Sequence, residues 1–188
     1  MKVKHGSIIF LEKVLLPGGR QEIDLISKNI NECIKQYYKE NKKLICSLVS
    51  IPQGKTYNYF ATECDIVDFS NKENKASIII ESKTPVKISY WSKKSPLSIE
   101  YTPIDKIKKQ EINESLKCIS EELLKVYDEN PELSRIYSEI NLNDISWVAY
   151  RWLELLPISY HDIHNLIKTK NPYKIGKTIK NLLYLDEI

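Results

Sequence analysis

The sequence predicts an α+β protein whose strands precede its helices. Short apolar segments with a period of two fill residues 1–105, and apolar residues at helical spacing follow from residue 106. Runs of strands followed by runs of helices are typical of the α+β class. We therefore expect a β-rich subdomain at 1–105 and an α-helical subdomain at 106–188, which together form one domain.

The first subdomain is predicted to hold about six short strands around one helix. Pro17-Gly18-Gly19 ends the first strand, and the polar residues 70–74 favour a hairpin turn. Short strands in this number around one helix indicate a small barrel or a strongly curved sheet. Strands are expected at 7–16, 44–51, 59–69, 76–81, 86–91 and 97–101, and the helix at 24–40.

The second subdomain is predicted to be a bundle of four or five helices. Its first helix has an apolar face over residues 112–126, and Pro157 ends the helix that carries most tryptophan. Leu182 and Leu183 are expected to point inward from the last helix. The remaining helix starts share a capping residue or a proline in the first turn: Asn130-Pro131, Asp144, Ser159 with Asp162, and Asn171-Pro172.

Composition and charge favour a globular protein of the cytoplasm. Hydrophobic residues make up 42% and charged residues 28%, and the net charge is only +3. The four cysteines form no C-x-x-C pair, so we expect buried thiols in a reducing compartment. No apolar stretch approaches the ~20 residues of a membrane span, and we expect no signal peptide in the first ten residues.

Motifs for catalysis, nucleotides or metals are incomplete. Gly54-Lys55-Thr56 and Gly176-Lys177-Thr178 resemble the end of a phosphate-binding loop, but neither has the earlier glycine. His161 and His164 share a helical spacing without visible further ligands, and no Gly-x-Ser-x-Gly elbow exists. We therefore expect no catalytic residue, no cofactor and no metal.

Two stretches carry a family resemblance. Residues 8–19 read Ile-Ile-Phe-Leu-Glu-Lys-Val-Leu-Leu-Pro-Gly-Gly, and residues 142–158 read Leu-Asn-Asp-Ile-Ser-Trp-Val-Ala-Tyr-Arg-Trp-Leu-Glu-Leu-Leu-Pro-Ile. Both resemble the N-terminal, substrate-binding domain of Lon proteases, the second more specifically. Residues 60–69 are similar to a family strand, whereas residues 25–29 and 82–85 depart from the family pattern. The signature positions are Pro17, Gly18, Asp144, Ser146, Trp147, Arg151, Leu156 and Pro157.

The resemblance implies a PUA-like pseudo-barrel followed by a helical bundle. It also implies a non-catalytic domain that recognises protein or peptide segments, or a partner protein. We expect a stand-alone family member without the ATPase and peptidase modules, such as an adaptor in protein quality control. The alternative is RNA binding, since PUA-like folds also serve on RNA. The basic stretches 106–109 and 168–180 fit a solvated face better, because the net charge is small.

Aromatic residues on or beside the predicted strands are the candidates for peptide binding. Most of them are expected to belong to the core, and some to line an apolar groove in which an extended peptide could pair with a sheet edge. These residues are Tyr57, Tyr59, Phe60, Tyr90 and Trp91.

Overall fold

The computed structural model of the chain describes residues 3–48, 61–72, 75–92 and 98–184. The chain divides into two units, Met1–Asp105 and Lys106–Ile188. Every described strand of the sheet belongs to the first unit, and all but one of the described helices belong to the second. A mixed sheet together with six helices in the described ranges confirms the α+β class.

The described strands of the first unit form one sheet, with helix α1 at Lys28–Lys39. The strands are β1 (Lys4–Leu11), β2 (Arg20–Asp24), β3 (Lys43–Leu48), β4 (Ala61–Lys72), β5 (Lys75–Trp91) and β6 (Ser98–Pro103). They pair in the order β2-β5-β4-β3-β1-β6, and β6 pairs with β5 as well. Five of the strands therefore form a closed path of pairings, with β2 attached outside it. The pair β1–β3 is parallel, and the other pairs of named strands are antiparallel.

Alternating side chains of these strands enter two apolar clusters, because successive residues of a strand point to opposite faces. One cluster lies under α1 and includes Ile9, Cys33 and Ile78. The other includes Ile8 and Tyr101 and joins β1 and β3 with β4, β5 and β6. The tight packing there requires glycine at position 6, since a Cβ atom would lie 2.7 Å from the Lys43 carbonyl oxygen.

The Pro17-Gly18 turn redirects the chain just before β2, several residues after β1 has ended at Leu11. The Gly19 N–H donates to the Leu16 carbonyl at 2.8 Å, and Gly18 has a φ of 78°. Proline followed by a residue with positive φ fits a type II turn, whose third position favours glycine. The Gly18 N–H donates to the Ser82 carbonyl at 2.8 Å and ties the turn to β5.

Three predictions for the sheet were wrong in detail. The first strand ends at Leu11, although residues 14–16 are buried, because apolar contact does not require strand pairing. Strand β2 was missed, since Ile23 alone among its residues is buried. A single strand β5 replaces the two expected at 76–81 and 86–91. Pro85 continues that strand opposite Thr62, and its carbonyl accepts a hydrogen bond from the Ile104 N–H.

The helices of the second unit begin close to the predicted caps. The Ser159 hydroxyl accepts from the Asp162 N–H at 3.2 Å, which confirms that cap. Residue 112 is not helical, since a 3-10 turn at Glu114–Leu116 precedes the first helix. Leu182 is 44% exposed, so its inward prediction was wrong. The helices are α2 (Lys117–Glu129), α3 (Pro131–Ser134), α4 (Ile145–Leu155), α5 (Tyr160–Lys168) and α6 (Pro172–Tyr184).

Three of the four cysteines are buried thiols, as expected, and Cys118 is half-buried. Burial raises the pKa of Cys33 to about 11. Burial and the neighbouring Cys64 hold the pKa of Cys46 well above its ordinary value. None of the described helices has both the length and the apolar character that a membrane crossing needs.

Candidate protein-binding surfaces

The N-terminus of α4 shows what the first signature positions do. The Asp144 carboxylate accepts hydrogen bonds from the Ser146 N–H at 2.9 Å and the Gln110 N–H at 3.2 Å. The Ser146 hydroxyl donates to the Lys108 carbonyl at 2.7 Å. Asp144 therefore caps α4, as predicted, and Ser146 helps to hold the preceding segment against it. Both side chains are occupied with structural hydrogen bonds.

Arg151 lies at the centre of an aromatic and ionic network within the second unit. Its side chain is 1% exposed, and two of its nitrogens lie 3.0 Å from the Glu154 carboxylate oxygens. The guanidinium carbon lies 5.4 Å from the Trp147 ring centroid and 5.9 Å from that of Tyr137. Trp147 also packs edge-on against Tyr127 at 6.3 Å. The cation–π contact with Arg151 and the edge-on contact with Trp147 thus hold Tyr137 against α4, whereas the ion pair with Glu154 lies within α4.

The end of α4 is also structural. The Leu156 N–H donates to the Trp152 carbonyl at 2.9 Å. The helix ends at Leu155, and Pro157, which was predicted to end it, follows two residues later and is exposed. The Trp152 indole donates to the Ile119 carbonyl at 2.7 Å. In this chain, the residues at these positions therefore pack and cap within the second unit.

Of the phosphate-loop fragments, Gly176-Lys177-Thr178 lies inside α6, and Gly54-Lys55-Thr56 lies outside the described residues. A Cβ atom on Gly176 would lie 3.0 Å from methyl groups of Ile145 and Leu116. Close helix packing therefore accounts for that glycine. In the ranges that the structure describes, no three His, Cys, Asp or Glu side chains are grouped to hold a metal ion.

A polar depression of about 370 Å³ lies between residues 109–111 and 139–144. Its floor includes Asp144, whose carboxylate is used in the α4 cap. The Glu111 carbonyl is used as well, since it accepts from the Tyr173 hydroxyl at 2.6 Å. Asp144 and the Glu111 carbonyl are thus both engaged in structural hydrogen bonds at this depression.

The predicted binding residues are only partly described. Tyr90 lies on β5 opposite Glu100 and is 59% exposed, as a binding residue must be. Trp91 follows it on the strand opposite Ile99. Tyr57, Tyr59 and Phe60 fall outside the described residues. The grouping of these aromatic side chains into one groove stays a prediction.

A second aromatic surface was not foreseen, and we call it the aromatic patch: Tyr37, Tyr38, Val67 and Phe69. Tyr38 and Phe69 are 55% and 56% exposed, and their ring centroids lie 6.0 Å apart. Tyr37 meets Tyr38 edge-on at 5.1 Å and is half-buried against the core below. The patch thus joins the last turn of α1 to β4, which are distant in the sequence.

A β-bulge brings the strand residues to the patch. The pairing of β4 with β5 shifts between Ile66 and Asp68, so Val67 is the extra residue. Ile66 packs against the core, whereas Val67 is 39% exposed. The sequence could have indicated the helical part of the patch, because the period of α1 places Tyr37 on the same face as Ile34 and Tyr38 on the outer face. The bulge could not be anticipated from residue types.

Carboxylates flank the aromatic patch. The Tyr37 hydroxyl donates to Asp65 at 3.4 Å, and the Asp68 carboxylate accepts from the Phe69 N–H at 2.8 Å. In the described part of the chain, neither carboxylate has a lysine or arginine nitrogen within ion-pair distance. The patch is therefore apolar at its centre and negatively charged beside β4.

Comparison with known proteins decides the family. The family model of the ATP-dependent protease La (LON) substrate-binding domain matches residues 7–183. The chain belongs to this family. Among curated proteins, the comparison finds no match. Membership in a family of substrate-binding domains supports a protein-binding role.

Two solved structures share the fold of this Lon substrate-binding domain. A Lon N-terminal domain protein from Xanthomonas campestris has a TM-score of 0.67 at 14% identity and covers 94% of this chain and 98% of its own. The N-terminal domain of Mycobacterium avium complex Lon protease has a TM-score of 0.59 at 14% identity. It covers 94% of this chain and 96% of its own.

Proposed function

We propose that this Lon-family domain is a non-catalytic protein-binding module that captures exposed apolar segments of other polypeptides. The aromatic patch carries the proposal, because Tyr38 and Phe69 are each more than half exposed and lie side by side. Aromatic side chains contribute much of the energy of protein interfaces. When a partner covers such rings, the burial of their apolar surface contributes a favourable free energy of about 25 cal/mol per Å².

Tyr90 is a second proposed contact, with Tyr57, Tyr59, Phe60 and Trp91 as its predicted neighbours. Its 59% exposure on β5 supports a role in binding. The natural partners in this proposal are unfolded segments or a partner protein, and the biological role is that of an adaptor in protein quality control. Nucleic acid and membranes are not part of it.

The proposal includes the finer architecture. We interpret residues 1–105 as a PUA-like pseudo-barrel subdomain and residues 106–188 as a helical bundle subdomain. The closed path of strand pairings supports the first interpretation. Contacts of α4 and α2 with α6 support the second. A cytoplasmic location fits the four free thiols.

The test measures binding to reduced, carboxymethylated lysozyme, which stays unfolded, and to native lysozyme as the folded control. We expect the chain to bind the unfolded form and not the native form. The double variant Tyr38→Ser with Phe69→Ser should weaken binding by about tenfold or more, since a loss of about 1.4 kcal/mol in binding free energy is a tenfold loss of affinity and central tyrosines are enriched among the residues whose truncation costs more than about 1 kcal/mol. Tyr90→Ser tests the second surface separately.

A matched control removes an exposed apolar side chain away from the patch. Ile26 is 87% exposed, so Ile26→Ser changes surface hydrophobicity without touching Tyr38 or Phe69. Its binding should equal that of the unchanged chain. Equal and negligible binding of both lysozyme forms would refute the proposal, and so would equal losses in the patch and control variants.

A further inference from the structure

Strand β4 has one edge that no described strand covers. Strand β3 pairs with residues 61–64 of β4, whereas β5 pairs with it from Ala61 to Lys72. Residues 65–72 therefore have a strand neighbour on one side within the described part of the chain. An uncovered edge presents main-chain N–H and C=O groups to which another strand can be added.

The hydrogen bonds between β2 and β5 show which way the main chain of β5 points. The Leu25 N–H donates to the Ala76 carbonyl, and the Ser82 N–H donates to the Gly19 carbonyl. Even-numbered residues of β5 thus face β2. Since alternate residues of a central strand bond to opposite neighbours, the odd-numbered residues of this stretch face β4.

The register then identifies the outward groups of β4. Asp68 lies opposite Ile79 and Ser70 lies opposite Ser77, so Asp68 and Ser70 use their main-chain groups on β5. Phe69 and Asn71 point to the uncovered edge. The Phe69 N–H confirms this direction, because it donates to the Asp68 side chain at 2.8 Å. Among the described residues, nothing is hydrogen-bonded to the Phe69 carbonyl or to the main-chain groups of Asn71 at this edge.

The side chains beside this edge select what can dock there. The Tyr38 and Phe69 rings provide apolar surface next to it. Asp65 and Asp68 add negative charge without an ion-pair partner in the described ranges. A second copy of this chain would bring the same carboxylates to the interface, and like charges across paired strands are unfavourable. A partner with basic side chains complements them.

We infer that the edge of β4 at residues 67–71 binds an extended polypeptide segment in which basic residues alternate with apolar ones. The segment adds a strand beside Phe69 and Asn71. Its apolar side chains cover Tyr38 and Phe69, and its basic side chains pair with Asp68. This inference rests on the proposed protein-binding function and names the site and the chemistry of the segment.

The test uses the full chain and fluorescein-labelled peptides of about ten residues, a length that spans such an edge. One peptide alternates lysine with leucine and phenylalanine, a second has glutamate for lysine, and a third has the lysine sequence with alternate amides N-methylated. We expect binding of the first peptide only. Fluorescence anisotropy gives the dissociation constants.

Two variants address the main chain and the charge. Asn71→Pro removes an outward N–H but no hydrogen bond to β5, and should weaken binding of the lysine peptide by about tenfold. Asp24→Pro is its matched control, because the main chain of Asp24 also points away from β5 but on β2. Asp68→Asn should weaken binding of the lysine peptide by about twofold to fivefold.

The outcomes separate this inference from the proposed function. Unchanged affinity in Asn71→Pro, or equal binding of the N-methylated peptide, would overturn strand addition at this edge. Binding of unfolded lysozyme would then still decide whether the chain binds protein at all. Tighter binding of the glutamate peptide would contradict the charge argument. A concentration-dependent dimer that Asn71→Pro abolishes would instead identify a second copy as the occupant and overturn the inference.

Discussion

Loss of the Arg151 guanidinium is the perturbation with the largest expected effect on stability. Arg151 is 1% exposed and its partner Glu154 has a side chain that is 12% exposed, so the ion pair is almost wholly removed from water. Arg151→Ala leaves the Glu154 carboxylate buried without its cation. It also removes the contacts with the Trp147 and Tyr137 rings.

The expected loss of stability follows from the carboxylate charge that Arg151→Ala leaves buried. Breaking a buried ion pair on one side costs about 3–5 kcal/mol, because the surviving charge has lost both water and partner. That is a large part of the roughly 5–15 kcal/mol that stabilises an ordinary domain. Replacing both partners, with Arg151→Met and Glu154→Leu together, leaves no buried charge. The double variant should therefore lose less than about 1.5 kcal/mol.

Urea unfolding followed by circular dichroism and tryptophan fluorescence measures these differences in the free energy of unfolding. Coincident transitions with unchanged denaturant dependence would establish that the variants share one folded state. A cost below about 1 kcal/mol for Arg151→Ala, or a double variant as unstable as the single one, would refute the stabilising role of the buried ion pair.

The other predictions concern the caps, the turn and the thiols. Asp144→Ala leaves two main-chain amides without their acceptor, so it should cost about 1–2 kcal/mol in urea unfolding, and Asp144→Asn should cost less. Gly18→Ala places a side chain at a φ of 78° and should cost about 1–2 kcal/mol, which the same measurement checks. The Cys33 pKa is raised from 9.0 to about 11, so its contribution to stability is present below pH 9 and lost as pH rises towards 11. Cys33→Ala should flatten that alkaline loss of stability relative to the unchanged chain, and an identical pH profile would contradict the assignment. Cys118, the half-buried thiol, should react with a maleimide faster in the native protein than the three buried thiols, as mass spectrometry of digests would show.

The helix starts could be predicted because their causes lie within a few residues. Asp144 and Ser159 accept hydrogen bonds from amides two and three residues ahead, and Pro131 occupies a first turn that needs no amide donor. These capping signals do not depend on how the rest of the chain folds. The starting point of α2 was less clear, since a 3-10 turn absorbs the first residues of its apolar pattern.

The sheet contains elements that the local sequence pattern does not predict. Strand β2 buries only Ile23, and its identity as a strand depends on pairing with β5, about 55 residues further along the chain. Pro85 suggested a break, yet β5 continues through it because β4 and β6 supply partners on either side. When a strand forms because it pairs with a strand distant in the sequence, its own residues need not have a recognisable strand pattern.

The binding residues named from the sequence stay a prediction, and the aromatic patch is an additional candidate surface. The resemblance and the abundant tyrosines indicated a surface for polypeptide on the strand-rich half, and Tyr90 is exposed there. The patch of Tyr38 and Phe69 is made by a helix end and a bulged strand about 30 residues apart. Neither residue has a local pattern that distinguishes an exposed ring from a buried one.

The sequence by itself determined the class, the caps of several helices and the family, because caps, turn glycines and apolar periods act over a few residues. Only the tertiary structure decided which edge of β4 no described strand covers, that the main chain of Phe69 and Asn71 faces this edge, and that Arg151 lies against aromatic rings. Those outcomes depend on contacts between segments distant along the chain, whose free energies are gained together when the chain folds.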